Sequence, residues 1–547
     1  MNYKILFALL ISLILLNFGL SVNSSNEPPS NNSYISSIEF EKPTIQNYQP
    51  HPAINISSDS DFVDLGFPGI GDQQNPYMIE GLEIIGSESV RKLISIKNVN
   101  STFTIKNNRL VGNGSEKLNV YQNNIENIQK LIYIENTNSP FIIENNLLFG
   151  NDSDGIYLNK VSSASIEYNI IETTNIAINS VNSSQIIIIN NVISKSTWVG
   201  ISILESLGVQ IINNSIINKG EIGIDIKSHN VVIENNTIEG GSFAGIKASN
   251  RYPIYYSNLT VSSNTINNTL HGIYWQTQDS IISENQILNS KGNGILLQIL
   301  DQSIQNGFNN NFSNNLISSA NLNGIAILGA DSNTFTNNTI IDSGFSGISV
   351  SGSSGLRSKN NFISRNEISY SDDYGIRIGY SAEENSIIGN NFQLNNNGGI
   401  QGYDEDEKNK FQLNYWDDWT GPDSDVNGIV DAPYIFEGNS DPYPRVSIDS
   451  NYEILEQNIP FNTVKITIID FKTDGATKIE TETQNLPEFH ISTAEFFLII
   501  LIIGVVSFKV YQKYQKKSFP LNRCPSCNSR YPPGSVYCGE CGAEVEI

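Results

Sequence analysis

The chain of 547 residues has four cysteines, and none precedes Cys524. A disulfide framework is therefore excluded over nearly the whole length. Methionine occurs only at Met1 and Met78, and the four histidines are scattered, so no Cys–His or Ser–His–Asp grouping is readable. Of 19 prolines, only Pro140 and Pro253 fall between Tyr77 and Gly421. A central strand cannot accept a residue without an N–H, so that stretch is free to be sheet throughout. Positive charge is short as well, with 32 Lys and Arg against 56 Asp and Glu, a net −24. That balance argues against a nucleic-acid partner and for a solvated acidic surface.

What is present is a repeat. Gly223–Gly241 reads GIDIKSHNVVIENNTIEGG: Gly-Ile, a polar turn, a short β-branched run, Asn-Asn, and a second short run. Gly-Ile recurs at Gly155, Gly200, Gly223, Gly245, Gly272, Gly294, Gly324, Gly347, Gly375 and Gly399, with Asn175-Ile176 filling the long first interval. The closing asparagine recurs at Asn108, Asn124, Asn146, Asn169, Asn191, Asn214, Asn236, Asn264, Asn285, Asn315, Asn338, Asn361, Asn391 and Asn414, mostly 22 or 23 residues apart. A fixed period of this size means stacked repeats. The runs are too short for helices and alternate with period two, so they are strands. Three strands per coil, paired in parallel from coil to coil, predict an all-β, right-handed parallel β-helix solenoid of about 14 coils, ~65 Å long at strand spacing. The isoleucine after each glycine, Ile176 among them, then forms one inward file. Asparagine suits the corners because it tolerates the left-handed conformation, and stacked asparagines can hydrogen-bond along the axis.

The flanks differ from the repeat. Residues 1–22 combine Lys4 with an apolar run, Ile5–Leu16, and small polar residues, as a secretory signal peptide does. Residues 23–53 are rich in Ser, Asn and Pro and read as a linker or cap before the solenoid, 54–446. Residues 447–490 are acidic and read as a stalk. Residues 491–511 hold the apolar run Phe496–Phe508 and are followed by Lys509, Lys513, Lys516 and Lys517. That pattern predicts a transmembrane helix with the solenoid outside and residues 512–547 in the cytoplasm. The tail carries Cys524-Pro-Ser-Cys527 and, ten residues on, Cys538-Gly-Glu-Cys541. Paired C-x-x-C knuckles place four thiolates for tetrahedral zinc, and four protein ligands leave the metal a structural role. A cytoplasmic protein is a candidate partner of this ribbon.

FPGIGDQQNPYMIEGLEI (Phe67–Ile84) resembles the opening segment of NosD-type right-handed β-helix proteins with Asn-rich repeats. NYWDDWTGPDSDVNGIVDAPYIFEGNSDPYPRV (Asn414–Val446) resembles their closing module, so the resemblance spans roughly Ile54–Val446. It implies the solenoid fold. The namesake activity, assembly of a copper centre, implies soft or imidazole ligands, which this composition barely supplies. Leu521–Val545 likewise resembles small zinc ribbons.

On the solenoid, the residue between the two inward positions of each GI-x-I unit points outward. These residues give a second file that includes Tyr157, Ser202, Asp225, Lys247, Tyr274, Arg377 and Gln401. A flat strip of aromatic and charged groups suits an extended polysaccharide, and Tyr157, Asp225, Lys247, Tyr274 and Arg377 are the candidate ligand surface. Trp275 falls at an inward position and belongs to the core. For catalysis, the best cluster is Arg365, Asp372, Asp373 and Arg377, where a lyase, epimerase or hydrolase would need carboxylates beside a basic group. Asp423, Asp425, Asn427 and Asp431 alternate like the first ligands of a calcium loop, without its final Glu. Sequons such as Asn55, Asn100, Asn113, Asn151, Asn182 and Asn258 allow glycosylation on an exported surface. The expectation is a membrane-anchored surface protein that binds polysaccharide or a surface partner, leaning against catalysis. An enzyme on the same scaffold and a purely structural envelope protein are the alternatives.

Overall fold

A computed structural model describes residues 47–448, apart from 88, 114–128, 173, 218–219, 251–255, 300–308, 354 and 406, together with the backbone of 522–523 and 530–531. Three parallel sheets organise the first unit. Among the described residues, sheet 1 has 14 strands, from Ile54–Ile56 to Gly402–Asp404. Sheet 2 has 14, from Tyr77–Glu80 to Lys410–Gln412, and sheet 3 has 15, from Gln49–Pro50 to Tyr415–Trp416. Each coil visits them in that order, as Asp154–Val161, Ala164–Glu167 and Ile170–Glu172 do before Ile176–Val181 opens the next. The expected solenoid is present. It starts earlier than its sequence boundary, because Gln49–Pro50 already pairs with Leu82–Glu83. A short helix, Ser60–Asp64, closes this end by stacking Phe62 on Tyr77 at 4.6 Å.

The inward file of sheet 1 holds Ile156, Ile201, Ile224, Ile246, Ile273 and Ile295, each in register with its neighbours and fully buried. Burying one such side chain contributes about 1.5–3 kcal/mol. The glycine before each is there for room. At Gly223 a Cβ would lie 2.5 Å from the Gly245 carbonyl oxygen and 2.6 Å from Ile238 Cγ2 of sheet 3. Ile176 does not belong to this file. It pairs with Val199, and Ile178 pairs with Ile156 and Ile201, so Ala177 occupies the glycine position of that coil. Trp275 lies in the main core as expected.

Between sheets 2 and 3 runs an unbroken asparagine ladder from Asn108 through Asn146, Asn169, Asn191, Asn214, Asn236, Asn264, Asn285, Asn315 and Asn338 to Asn366, Asn390 and Asn414. At Asn214, both the backbone N–H and Nδ2 donate to Asn236 Oδ1, at 2.9 and 3.0 Å. Nδ2 also donates to the carbonyls of Ile188 and Ile212. Each asparagine thus satisfies corner groups that no strand partner reaches.

Two expected members are displaced. Asn366 and Asn390, rather than Asn361 and Asn391, carry the ladder; Asn124 lies outside the described residues. Asn361 belongs to a second ladder between sheets 1 and 2, running Asn310, Asn333, Asn361, Asn385, Asn409. The left-handed conformation also falls elsewhere. It is adopted by the residue before the ladder asparagine, such as Asn213, Tyr168, Arg365 or Leu413, with φ of 54–56°.

Both ladders end on buried carboxylates. Asn414 donates to Asp441 Oδ2, which also accepts from Trp416 Nε1, and Asn409 donates to Asp404 Oδ1. A third corner ends alike, because Asn395 donates to Gln401, which donates to Asp417 and Asp418. Asp441 lies in a closing hairpin, Tyr434–Phe436 with Asn439–Asp441.

In the second unit, Asn522–Arg523 pairs antiparallel with Arg530–Tyr531. Among the described residues no helix is long and apolar enough to cross a membrane, and 491–511 lies outside them. The signal peptide, nearly all of the stalk and the four cysteines lie outside them too.

Candidate functional site

The candidate surface is the outer face of sheet 1. Its central file runs in register through Tyr133, Tyr157, Asn179, Ser202, Asp225, Lys247 and Tyr274, and ends with Ser349, Arg377 and Tyr403. All the expected members keep their places except Gln401. Tyr403 holds its register, whereas Gln401 is fully buried in the end cap and accepts from Asn395. The Gly399-Ile400 unit is therefore shifted by two residues from the strand Gly402–Asp404.

A flanking file lies beside this one. Lys92, Lys130 and Asp154 are in register, and Ile176, Val199 and Ile222 form a small apolar cluster separate from the main core. Ala244, Tyr274, Leu296 and Ala326 form another, and Phe243 packs against both.

Charge and aromatic rings coincide at three places. Towards the N-terminal end, Tyr133 and Tyr157 stack at 5.4 Å and 6°. Lys92 Nζ lies 3.3 Å from the Tyr133 ring centre, Lys97 Nζ 5.1 Å from it, and Lys130 Nζ 5.1 Å from that of Tyr157. Lys97 pairs with Glu135 at 3.0 Å, and Lys130 with the fully buried Asp154 at 3.8 Å. Burial raises the Asp154 carboxyl above the usual range against the pull of Lys130 and of donors from Asn175 and Ile176. Partial burial, helped by Lys97 and Lys130 and opposed by Glu135, lowers the Lys92 amine to about 8.

Midway, Asp225 pairs with Lys227 at 3.1 Å and Lys247 at 3.8 Å, and Lys247 Nζ lies 5.6 Å from the Phe243 ring centre. Phe243 packs on Tyr274 at 5.0 Å. At the far end, Arg377 lies 5.3 Å from the Tyr403 ring centre. Asn179 Oδ1 between the first two places is buried and accepts no hydrogen bond from the described residues. Cation–aromatic groups along a flat face, with polar acceptors between them, can hold the hydroxyls and any acidic group of an extended polymer.

Lys92, Lys97, Lys130 and Tyr133 were not legible from the Gly-Ile units, because their strands precede the first one. The alternation in KLISIK (Lys92–Lys97) and KLIYIE (Lys130–Glu135) was the available signal.

The acidic and basic groups expected to form a catalytic cluster come from three places around the coil. Arg365 sits at the corner between sheets 2 and 3, Arg377 lies on sheet 1, and Asp372 and Asp373 turn between sheets 3 and 1. Burial and the nearby Asp342 raise Asp372, and Asp373 accepts from Ser346 Oγ at 3.2 Å.

Asp423, Asp425 and Asp431 do converge, with carboxylate oxygens within 4.8 Å of one another. Asn427 is used within the loop, donating to Asp425 Oδ2 and accepting from the Ile429 N–H. Three carboxylates at this separation fit a hard cation such as calcium, which takes oxygen ligands.

No curated protein matches the chain. The model of the right-handed β-helix region matches residues 130–286 and 254–416, together more than half of the sequence. Among solved structures, the chain is similar to the Dettilon tailspike protein at 15% identity and a TM-score of 0.39, covering 59% of this chain and 63% of that one. It thus spans less than two thirds of the tailspike's length. It is similar to a periplasmic alginate epimerase at 13% identity and a TM-score of 0.39, covering 63% and 85%. It is also similar to an exopolygalacturonase from Thermotoga maritima at 13% identity and a TM-score of 0.37, covering 61% and 92%.

Proposed function

Since the chain belongs to the right-handed β-helix family, we propose that it presents this solenoid outside a membrane as a non-catalytic binder of extracellular polysaccharide. The observation that carries the reading is the outer file of sheet 1, where lysine or arginine meets an aromatic ring at three places along one axis. The carboxylates on this face support binding over acid–base work, because Glu135, Asp154 and Asp225 are each paired with lysine. The opening and closing segments support a NosD-type variant of the fold. The apolar run at 491–511 with its following lysines supports the membrane anchor, with any sequon glycans on the outer side. Cys524, Cys527, Cys538 and Cys541 would hold a structural zinc inside, where a protein partner could dock. Asp423, Asp425 and Asp431 would hold calcium at the closing end.

A second reading, a polysaccharide lyase or epimerase, is favoured by Lys92, whose amine at about 8 suits proton abstraction near neutral pH. The test is to incubate the full-length protein in detergent with neutral and acidic polysaccharides, with calcium and with chelator, following retention and polymer size. Retention without chemical change is the expected result. Shortened or newly unsaturated chains would establish the enzyme instead, and no retention of any polymer would remove both readings.

A further inference from the structure

We infer that the end of the strip between Lys92 and Asn179 is a subsite for an acidic oligosaccharide, with an anionic substituent at Lys92 and a hydroxyl donated to Asn179. This rests on the polysaccharide reading and names the class of polymer.

The first support is charge. The chain carries −24 overall, yet Lys92, Lys97 and Lys130 converge on two stacked rings. Lys97 and Lys130 have carboxylate partners in Glu135 and Asp154. Among the described residues no carboxylate forms an ion pair with Lys92, whose ammonium is held against the Tyr133 ring. Around it stand Lys97, Lys130 and Glu135, so two further cations oppose its charge and one carboxylate favours it. An anionic group arriving at Lys92 would relieve that opposition.

The second support is independent of charge. Asn179 is 6% exposed, and its Oδ1 has no donor among the described residues although it sits on the outer file. A buried acceptor without a partner needs an explanation, and a sugar hydroxyl supplies a donor. Lys92 and Asn179 belong to strands three steps apart in sheet 1, about 14 Å at strand spacing. A ligand touching both is therefore longer than one sugar ring and lies along the axis, in line with Tyr157 between them.

The experiment uses the full-length protein in detergent and pairs of polymers sharing a backbone: polyuronate with its carboxyl-reduced form, and sulfated with unsulfated dextran. The two pairs separate carboxylate from sulfate as the source of the anion. At pH 7 at least one acidic polymer should be retained about tenfold more tightly than its neutral partner, the size of one charge-assisted hydrogen bond. Lys92→Gln should abolish that preference, so that the acidic polymer is retained no more tightly than its neutral partner. Raising the pH from 7 to 9 deprotonates Lys92 and should weaken acidic retention in the wild type, whereas Lys92→Arg should keep it. Equal retention of acidic and neutral polymers would overturn this inference and leave the polysaccharide reading standing, as would a preference that survives Lys92→Gln. No retention of any polymer would remove both.

Discussion

At the scale of single residues, the ladder separates two jobs that asparagine is often given together. In Asn213-Asn214, the first residue takes the left-handed turn and the second faces inward to bond along the axis. Only the second job needs an amide. Asn214→Asp keeps the shape but turns a donor to Ile188, Ile212 and Asn236 into an acceptor facing three oxygens. It should cost about 3–5 kcal/mol, measured as the shift in denaturant midpoint. The first job needs only tolerance of positive φ. Tyr168 performs it at φ 55° with a bulky side chain, half of it exposed. Tyr168→Asn should therefore stabilise by about 0.5–1 kcal/mol in the same measurement.

At the scale of strands and corners, the sequence was readable where one residue type does one thing. The isoleucines of sheet 1 alternate with period two and cannot be moved by one place without turning outward, so they marked the sheet correctly. The ladder frame slipped where asparagines come in pairs, because Asn360-Asn361 and Asn390-Asn391 look alike. In the first pair the second residue enters a ladder; in the other pair the first does. Position relative to the left-handed residue decides, and that is a backbone property. Ile176 was misread for a similar reason, since its own glycine position is held by Ala177. The second ladder went unnoticed because serine takes its place in earlier coils, as at Ser183, Ser206 and Ser280.

One corner also makes a testable charge cluster. Arg357, Lys359 and Lys408 all contact Glu383 and lower its carboxyl to about 2. A group depressed in this way favours the folded state above its unfolded value near 4.5, and that contribution is lost as pH falls from there towards 2. Comparing wild type with Glu383→Gln in acid titrations of stability should show a shallower decline in the variant across that window. Identical slopes would mean that Glu383 titrates normally.

At the scale of the molecule, each coil contacts only its neighbours, so stability is close to a sum of coils and their interfaces. Deleting residues 192–214 removes one whole coil and places Asn191 below Asn236. The shortened protein should fold with a single cooperative transition and lose about one strand spacing, ~4.8 Å, in length, measured by small-angle scattering. Truncation after Leu413 removes Asn414 and the hairpin bearing Asp441. It should leave open strand edges that associate, seen as a concentration-dependent rise in mass.

The ladders also have a direction. Along each ladder every asparagine gives its backbone N–H and one side-chain hydrogen to the Oδ1 of the next coil, and the last gives them to Asp441 or Asp404, whose carboxylates have none to pass on. A duplicated coil placed anywhere inside finds a giver on one side and a taker on the other. A duplicate placed beyond the end finds only an oxygen that takes. Descendants of such a gene can therefore lengthen or shorten by copying from the middle, while the terminal coil is inherited as a fixed stop.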